Sequence, residues 1–139
     1  MKNFLLILAG LCCFHLATFA QTNVSFTINH KLGAADFAFN KMAQNNMGEN
    51  FEVTRLEYYM SWIQLTHDGG QVTSFPDLYL LVNASQGTNV DLGDHNITNL
   101  EKVSFYIGVN RIRNHLDPAT FDASHALAPK NPSMHWGWT

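Results

Sequence analysis

The chain has 139 residues, which is enough for one domain, and only 14% of them are charged. A formal net charge of −3 without a basic patch argues against nucleic acid as a partner. Aromatic residues make up 12% of the chain, and this share together with the low charge favours a packed β-rich core over disorder.

Residues 1–20 have the pattern of a secretory signal peptide. Lys2 gives a positive start, residues 4–16 form an almost unbroken apolar run, and Ala20 ends the segment on a small residue. The run is too short to span a membrane as a helix. We therefore expect a bacterial protein that is exported to the periplasm, the cell surface or the medium, with a mature domain at residues 21–139.

Both cysteines, Cys12 and Cys13, lie inside this leader and would be removed with it. Leu11 is not the small residue that a bacterial lipoprotein carries before its cysteine, so free secretion is favoured over lipid anchoring. The mature chain then has neither a thiol nor a disulfide. Any metal must be held by imidazole nitrogen, carboxylate oxygen or thioether sulfur.

The first mature segment alternates in polarity. Val24, Phe26, Ile28 and His30 share one face of a predicted strand over residues 24–30. His30 is either a half-buried histidine bonded to the backbone at the strand end or a metal ligand at the rim of the sheet. Residues 32–50 have no regular pattern and predict a long loop with one short strand at 37–39.

The longest structured segment is residues 51–67, whose content of β-branched and aromatic residues predicts a strand with a bend near Tyr58 and Tyr59. Asp68-Gly69-Gly70 predicts a tight hairpin, because glycine accepts the positive φ of such turns. His67 flanks this turn and is expected to be exposed.

Further strands are predicted at residues 71–75, 78–83, 90–92 and 103–109, with a turn at residues 93–94. Short strands separated by turn signals, with little helical periodicity, predict an all-β fold. Its architecture is expected to be an antiparallel β-sandwich with long loops.

The final segment, residues 111–139, contains His115, His125 and His135. Their spacing of ten residues fits no local chelate, so they meet only if the loop folds back on itself. In that case they are candidate metal ligands; otherwise they are solvated side chains. Trp136 and Trp138 point to one face, either lining such a site or packing the sandwich.

Several segments together resemble the MbnP-like family, which comprises extracytoplasmic copper-binding proteins encoded beside methanobactin genes and copper-repressible surface proteins of methanotrophs. The similar segments, in the order of the family, are FEVTRLEYYMSWIQLTHDGGQV, PDLYLLVNAS, VSFYIGVNRIRN, LDPA and PSMHWGW. Family members continue past the W-x-W with another strand. The resemblance therefore implies a member that is incomplete at its C-terminus.

The resemblance also implies copper binding by histidines. In some relatives a tryptophan oxidised to kynurenine adds a ligand, and a di-haem peroxidase-like partner carries out that oxidation. Here His135 and Trp136 are adjacent, which departs from the spacing of those relatives.

We therefore expect copper, as Cu(I) or Cu(II), at His115, His125 and His135, with His30 as a fourth candidate ligand and zinc as the weaker alternative. No nucleophile elbow, paired-carboxylate signature or phosphate loop is present, so metal handling without catalysis is expected. The rival hypothesis is a module that binds carbohydrate or a protein partner through an aromatic face including Tyr58, Tyr59 and the tryptophans.

Overall fold

The computed structural model describes residues 21–135 as strands joined by turns and loops, with one short helix and one 3-10 turn. The all-β class predicted from the sequence is confirmed. Within residues 21–135 no helix is long and apolar enough to cross a membrane. The strands are β1 (Thr22–Ile28), β2 (Lys31–Leu32), β3 (Ala35–Asp36), β4 (Ala43–Gln44), β5 (Asn50–Phe51), β6 (Glu57–His67), β7 (Gln71–Asn83), β8 (Thr88–His95) and β9 (Leu100–Ile107).

Two antiparallel sheets form the body of the domain. One consists of β1 and β8, and the other has the order β7-β6-β9. Their apolar side chains pack into one core, in which Ile63, Leu65 and Val82 are completely buried. Val90 and Leu92 of β8 complete this core from the opposite layer, so the sheets pack face to face as predicted.

Strand β1 shows how alternation positions side chains. Val24, Phe26 and Ile28 are half-buried and pack against the core, whereas the residues between them are exposed. The predicted inward face is therefore confirmed. His30 lies two residues beyond the end of the strand and is half-buried.

The bend predicted at Tyr58 and Tyr59 is wrong in position, because β6 is regular there. The irregularity falls between Ser61 and Ile63, where Trp62 adopts a φ of +50°. On the neighbouring strand β7, Trp62 faces the part that contains Pro76. Proline has no N–H to donate, so it fits where the hydrogen bonding between two strands is interrupted. The bulge therefore also lets β7 continue through Pro76 as one strand instead of the two predicted.

The predicted Asp68-Gly69-Gly70 hairpin is confirmed, and all three residues have positive φ values, of 44°, 80° and 93°. The expectation that His67 is exposed is wrong, because only 5% of this residue is accessible to solvent. Its ring is held between the side chains of Asp68 and Thr73, at 2.9 Å from each. Both ring nitrogens are thereby satisfied, which permits burial.

Two other local predictions are wrong. Residues 37–39 form no strand; instead, two hairpins, β2–β3 and β4–β5, flank them, and the rings of Phe37 and Phe39 contact each other edge to face. The predicted turn at residues 93–94 lies inside β8. There Gly93 takes a φ of +84° and donates its N–H to the side chain of Asp91, a bond that helps lower the pKa of this carboxyl.

Candidate functional site

The segment that follows β9 begins with a short helix, α1 (Arg111–Asn114). The side chain of Asn110 caps this helix by accepting a hydrogen bond from the N–H of Arg113 at 2.9 Å. The same side chain donates to the hydroxyl of Tyr79 on β7 at 2.6 Å. The start of the loop is therefore tied to the sheet.

The loop then turns twice within a few residues. Asp117 caps a 3-10 turn at Pro118–Thr120, with its carboxylate 2.9 Å from the N–H of Ala119. The carbonyl of Asp122 accepts from the N–H of His125 at 2.8 Å. These turns fold the loop back on itself, which is the condition that the histidine spacing requires.

His125 occupies a defined, half-buried position. Its ring stacks on Phe121, with 4.7 Å between centroids and 12° between planes, and its other neighbour is the ring of Tyr79 at 6.0 Å. The N–H of Leu127 donates to Nδ1 of His125 at 3.1 Å. Because Nδ1 accepts a hydrogen bond, the neutral ring carries its proton on Nε2.

The folded loop encloses a cleft of about 160 Å³ against β6 and the end of β9. Tyr59 and Val109 form one wall, and Phe121, Leu127 and Met134 contribute from the loop. The sulfur of Met134 accepts from Arg55 at 3.2 Å, and Arg55 also pairs with Glu57 at the start of β6. The last described part of the loop is thereby held to the sheet.

The three loop histidines lie around this cleft but do not converge in it. His135 lines the cleft and is exposed. His115 is exposed between Asn114 and Leu116, which both line the cleft. His125 does not line the cleft, but its ring stacks on Phe121, which does. Within residues 21–135 no three side chains of histidine, cysteine, aspartate or glutamate form a group that could hold a metal ion.

The fourth candidate ligand, His30, lies elsewhere. Its Nε2 is 2.9 Å from the hydroxyl of Tyr58, and its ring contacts those of Tyr58 and Phe37. It lines a separate cleft beside Ile28 and Gly87. The structure does not bring it to the loop cleft. Trp136 and Trp138 lie outside the described residues.

Tyr58 and Tyr59, named above for an aromatic carbohydrate-binding face, are only partly exposed. Both are half-buried, and burial raises the pKa of each phenol, with the charge of Glu57 adding to the effect at Tyr59. Within residues 21–135, Trp62 and Tyr106 form an exposed aromatic pair and meet edge to face at 5.7 Å. Sequence reasoning missed this pair because nothing in the local pattern marks a bulge at Trp62.

Two packed antiparallel sheets, with a cleft formed between them and the segment after β9, define an all-β domain over residues 21–135. The MbnP family model matches residues 21–139, and the chain belongs to the MbnP family. No curated protein and no solved structure matches the chain.

Proposed function

We propose that this chain is an exported copper-handling protein that holds the metal through His115, His125 and His135 and performs no catalysis. The observation that carries the proposal is membership of the MbnP family in a chain whose residues after Cys13 include no cysteine. Imidazoles are then the principal nitrogen ligands available, and the general order of affinities favours copper over zinc at such ligands. A di-haem peroxidase-like partner, implied by the resemblance, belongs to the same proposal.

The loop geometry supports the ligand set through proximity. His135 lines the cleft, and His115 lies between two residues that line it. His125 stacks on the ring of Phe121, which also lines the cleft. Pro118, Pro129 and Pro132 restrict the backbone of this segment and so lower the entropy that is lost when the ligands are fixed. His30 lies in a separate cleft, so we leave it out of the proposed set.

Metal binding at His125 requires a local rearrangement. Ligation through Nδ1 breaks the hydrogen bond from Leu127, whereas ligation through Nε2 moves the ring proton to Nδ1, where it faces the N–H of Leu127. Either route displaces the backbone at Leu127. Copper binding should therefore change the amide environment of this residue as well as the imidazole.

The test is a titration of the mature protein with Cu(I) in the presence of a competing chelator. We expect one-to-one binding that weakens at least about 100-fold in the His115→Ala/His125→Ala/His135→Ala variant, because the metal loses its proposed ligands. His30→Ala is the matched control and should bind as the unaltered protein does. Equal binding by the triple variant and the unaltered protein would refute the ligand assignment.

A further inference from the structure

Trp62 occupies a backbone position that does not suit its side chain. Its φ of +50° lies in the left-handed region, where a residue with a Cβ is strained and glycine is not. The core does not explain the choice of residue, because 45% of Trp62 is exposed and its one ring contact among residues 21–135 is with Tyr106. A bulky residue that is kept in a strained position without being needed for packing indicates a function for its side chain.

The indole of Trp62 lines a second cleft, of about 570 Å³, which we call the Trp62 cleft. Pro76 and Tyr79 line it from β7, and Ile112 and Leu116 line it from the segment after β9. A volume of this size is within the range of small-molecule sites. Because aromatic and aliphatic side chains make up most of the lining, the cleft fits a ligand with a flat apolar body.

The charged side chains of the Trp62 cleft leave it positive. Arg111, Arg113 and Asp77 line it, so two guanidinium groups accompany one carboxylate. Arg113 pairs with Asp77 at 3.3 Å, whereas the side chain of Arg111 has no hydrogen bond or ion pair with any of residues 21–135. The excess positive charge is local, since the whole chain has a formal net charge of −3. An anionic group on a ligand is therefore stabilised at this cleft.

We propose that the Trp62 cleft binds a small aromatic carboxylate. The ring of the ligand packs against the indole of Trp62 and the exposed side chain of Ile112, and the guanidinium of Arg111 donates hydrogen bonds to the carboxylate. Tyr106 meets Trp62 with 70° between the ring planes, so it covers at most one face of the indole. A neutral sugar could also pack on the indole, but it would gain nothing from the charge of Arg111.

A titration of the metal-free mature protein with 2-naphthoate tests the proposal without reference to copper. We expect a dissociation constant on the order of 0.1 mM, with shifts of the backbone amide signals of Trp62 and Ile112 in nitrogen–proton NMR spectra. The neutral ligand 2-naphthamide has nearly the same shape but no carboxylate. It should bind at least about 10-fold more weakly.

Two variants separate the contributions of charge and ring. Arg111→Gln should weaken the binding of 2-naphthoate about 10-fold and leave that of 2-naphthamide unchanged, so the preference for the acid disappears. Trp62→Gly should weaken the binding of both ligands about 10-fold, and its bulge should persist because glycine accepts a φ of +50°. Lys41→Gln is the matched control, since Lys41 is exposed and lies outside the cleft. It should bind both ligands as the unaltered protein does.

If Trp62→Gly fails to fold, Ile112→Ser replaces it, because Ile112 is 79% exposed and its loss should not disturb the core. Three results would each overturn the proposal: no binding of 2-naphthoate up to about 5 mM, equal affinities for the acid and the amide, or 2-naphthoate binding that Arg111→Gln leaves unchanged. None of them bears on the copper proposal, since Trp62 and Arg111 do not line the cleft that contains His135.

Discussion

The imidazole of His67 and the carboxylate of Asp68 are joined by a hydrogen bond, with Nδ1 lying 2.9 Å from Oδ2. Asp68 also accepts hydrogen bonds from the backbone N–H groups of Thr98 and Asn99. One carboxylate thus ties the β6–β7 turn to the connection between β8 and β9. Without this carboxylate, the turn keeps only the hydrogen bonds that the N–H groups of Asp68 and Gly69 donate to the Asn99 carbonyl and the Glu101 side chain.

Replacing Asp68 by alanine should lower the midpoint of thermal unfolding, because the buried His67 loses a partner and two backbone N–H groups lose their acceptor. Alanine is also strained at the φ of +44° found there. Asp36→Ala is the control, since this side chain is 95% exposed and makes only a 3.9 Å ion pair with Lys31. Equal midpoints for the two variants would contradict the assigned role.

Acid should remove the contribution of Asp68. Hydrogen bonds from Thr98, and then from His67, hold the pKa of this carboxyl well below its ordinary value. The folded state therefore favours the charged form, so the stabilisation is complete above the unfolded pKa of about 3.9 and is lost as pH falls toward the folded pKa. The urea midpoints of the unaltered protein and Asp68→Asn should differ most at pH 5, and the difference should become smaller as the pH falls from 4 to 2.5; a constant difference would refute this.

The positive φ at Trp62 predicts that glycine destabilises the fold less than alanine at this position, the reverse of their usual order within a strand. Both Trp62→Ala and Trp62→Gly remove the contact with Tyr106, but only glycine adopts the φ of +50° without strain. The glycine variant should be the more stable by about 1 kcal/mol, measured by denaturant unfolding. A more stable alanine variant would mean that the bulge is not fixed at Trp62.

The hydrogen bond from Leu127 predicts the tautomer of His125 in the metal-free protein. Because Nδ1 is the acceptor, the proton should reside on Nε2 at neutral pH. Long-range proton–nitrogen NMR spectra distinguish the two tautomers directly. A spectrum with the proton on Nδ1 would show that the Leu127 contact does not form.

The sequence predicted features that follow from a repeating pattern or from turn chemistry. Alternation identified the inward face of β1, and Asp68-Gly69-Gly70 identified the hairpin because positive φ requires such residues. These features depend on neighbours in the chain. Local physical rules are therefore sufficient for them.

The remaining features depend on contacts between distant segments. His67 is buried because Thr73 and Asp68 satisfy both ring nitrogens, and no local pattern indicates this. The arrangement of the loop histidines depends on turns formed by Asp117 and Asp122. The spacing of ten residues therefore suggested a shared site but could not predict how the three side chains are arranged.

The most direct test of the proposed copper site is X-ray absorption spectroscopy of the mature protein loaded with one equivalent of Cu(I). We predict a shell of nitrogen scatterers with the multiple-scattering features of imidazole, because three histidines are the proposed ligands. These features should disappear in the variant that lacks His115, His125 and His135. A shell dominated by sulfur, or an unchanged imidazole signal in that variant, would contradict the proposal.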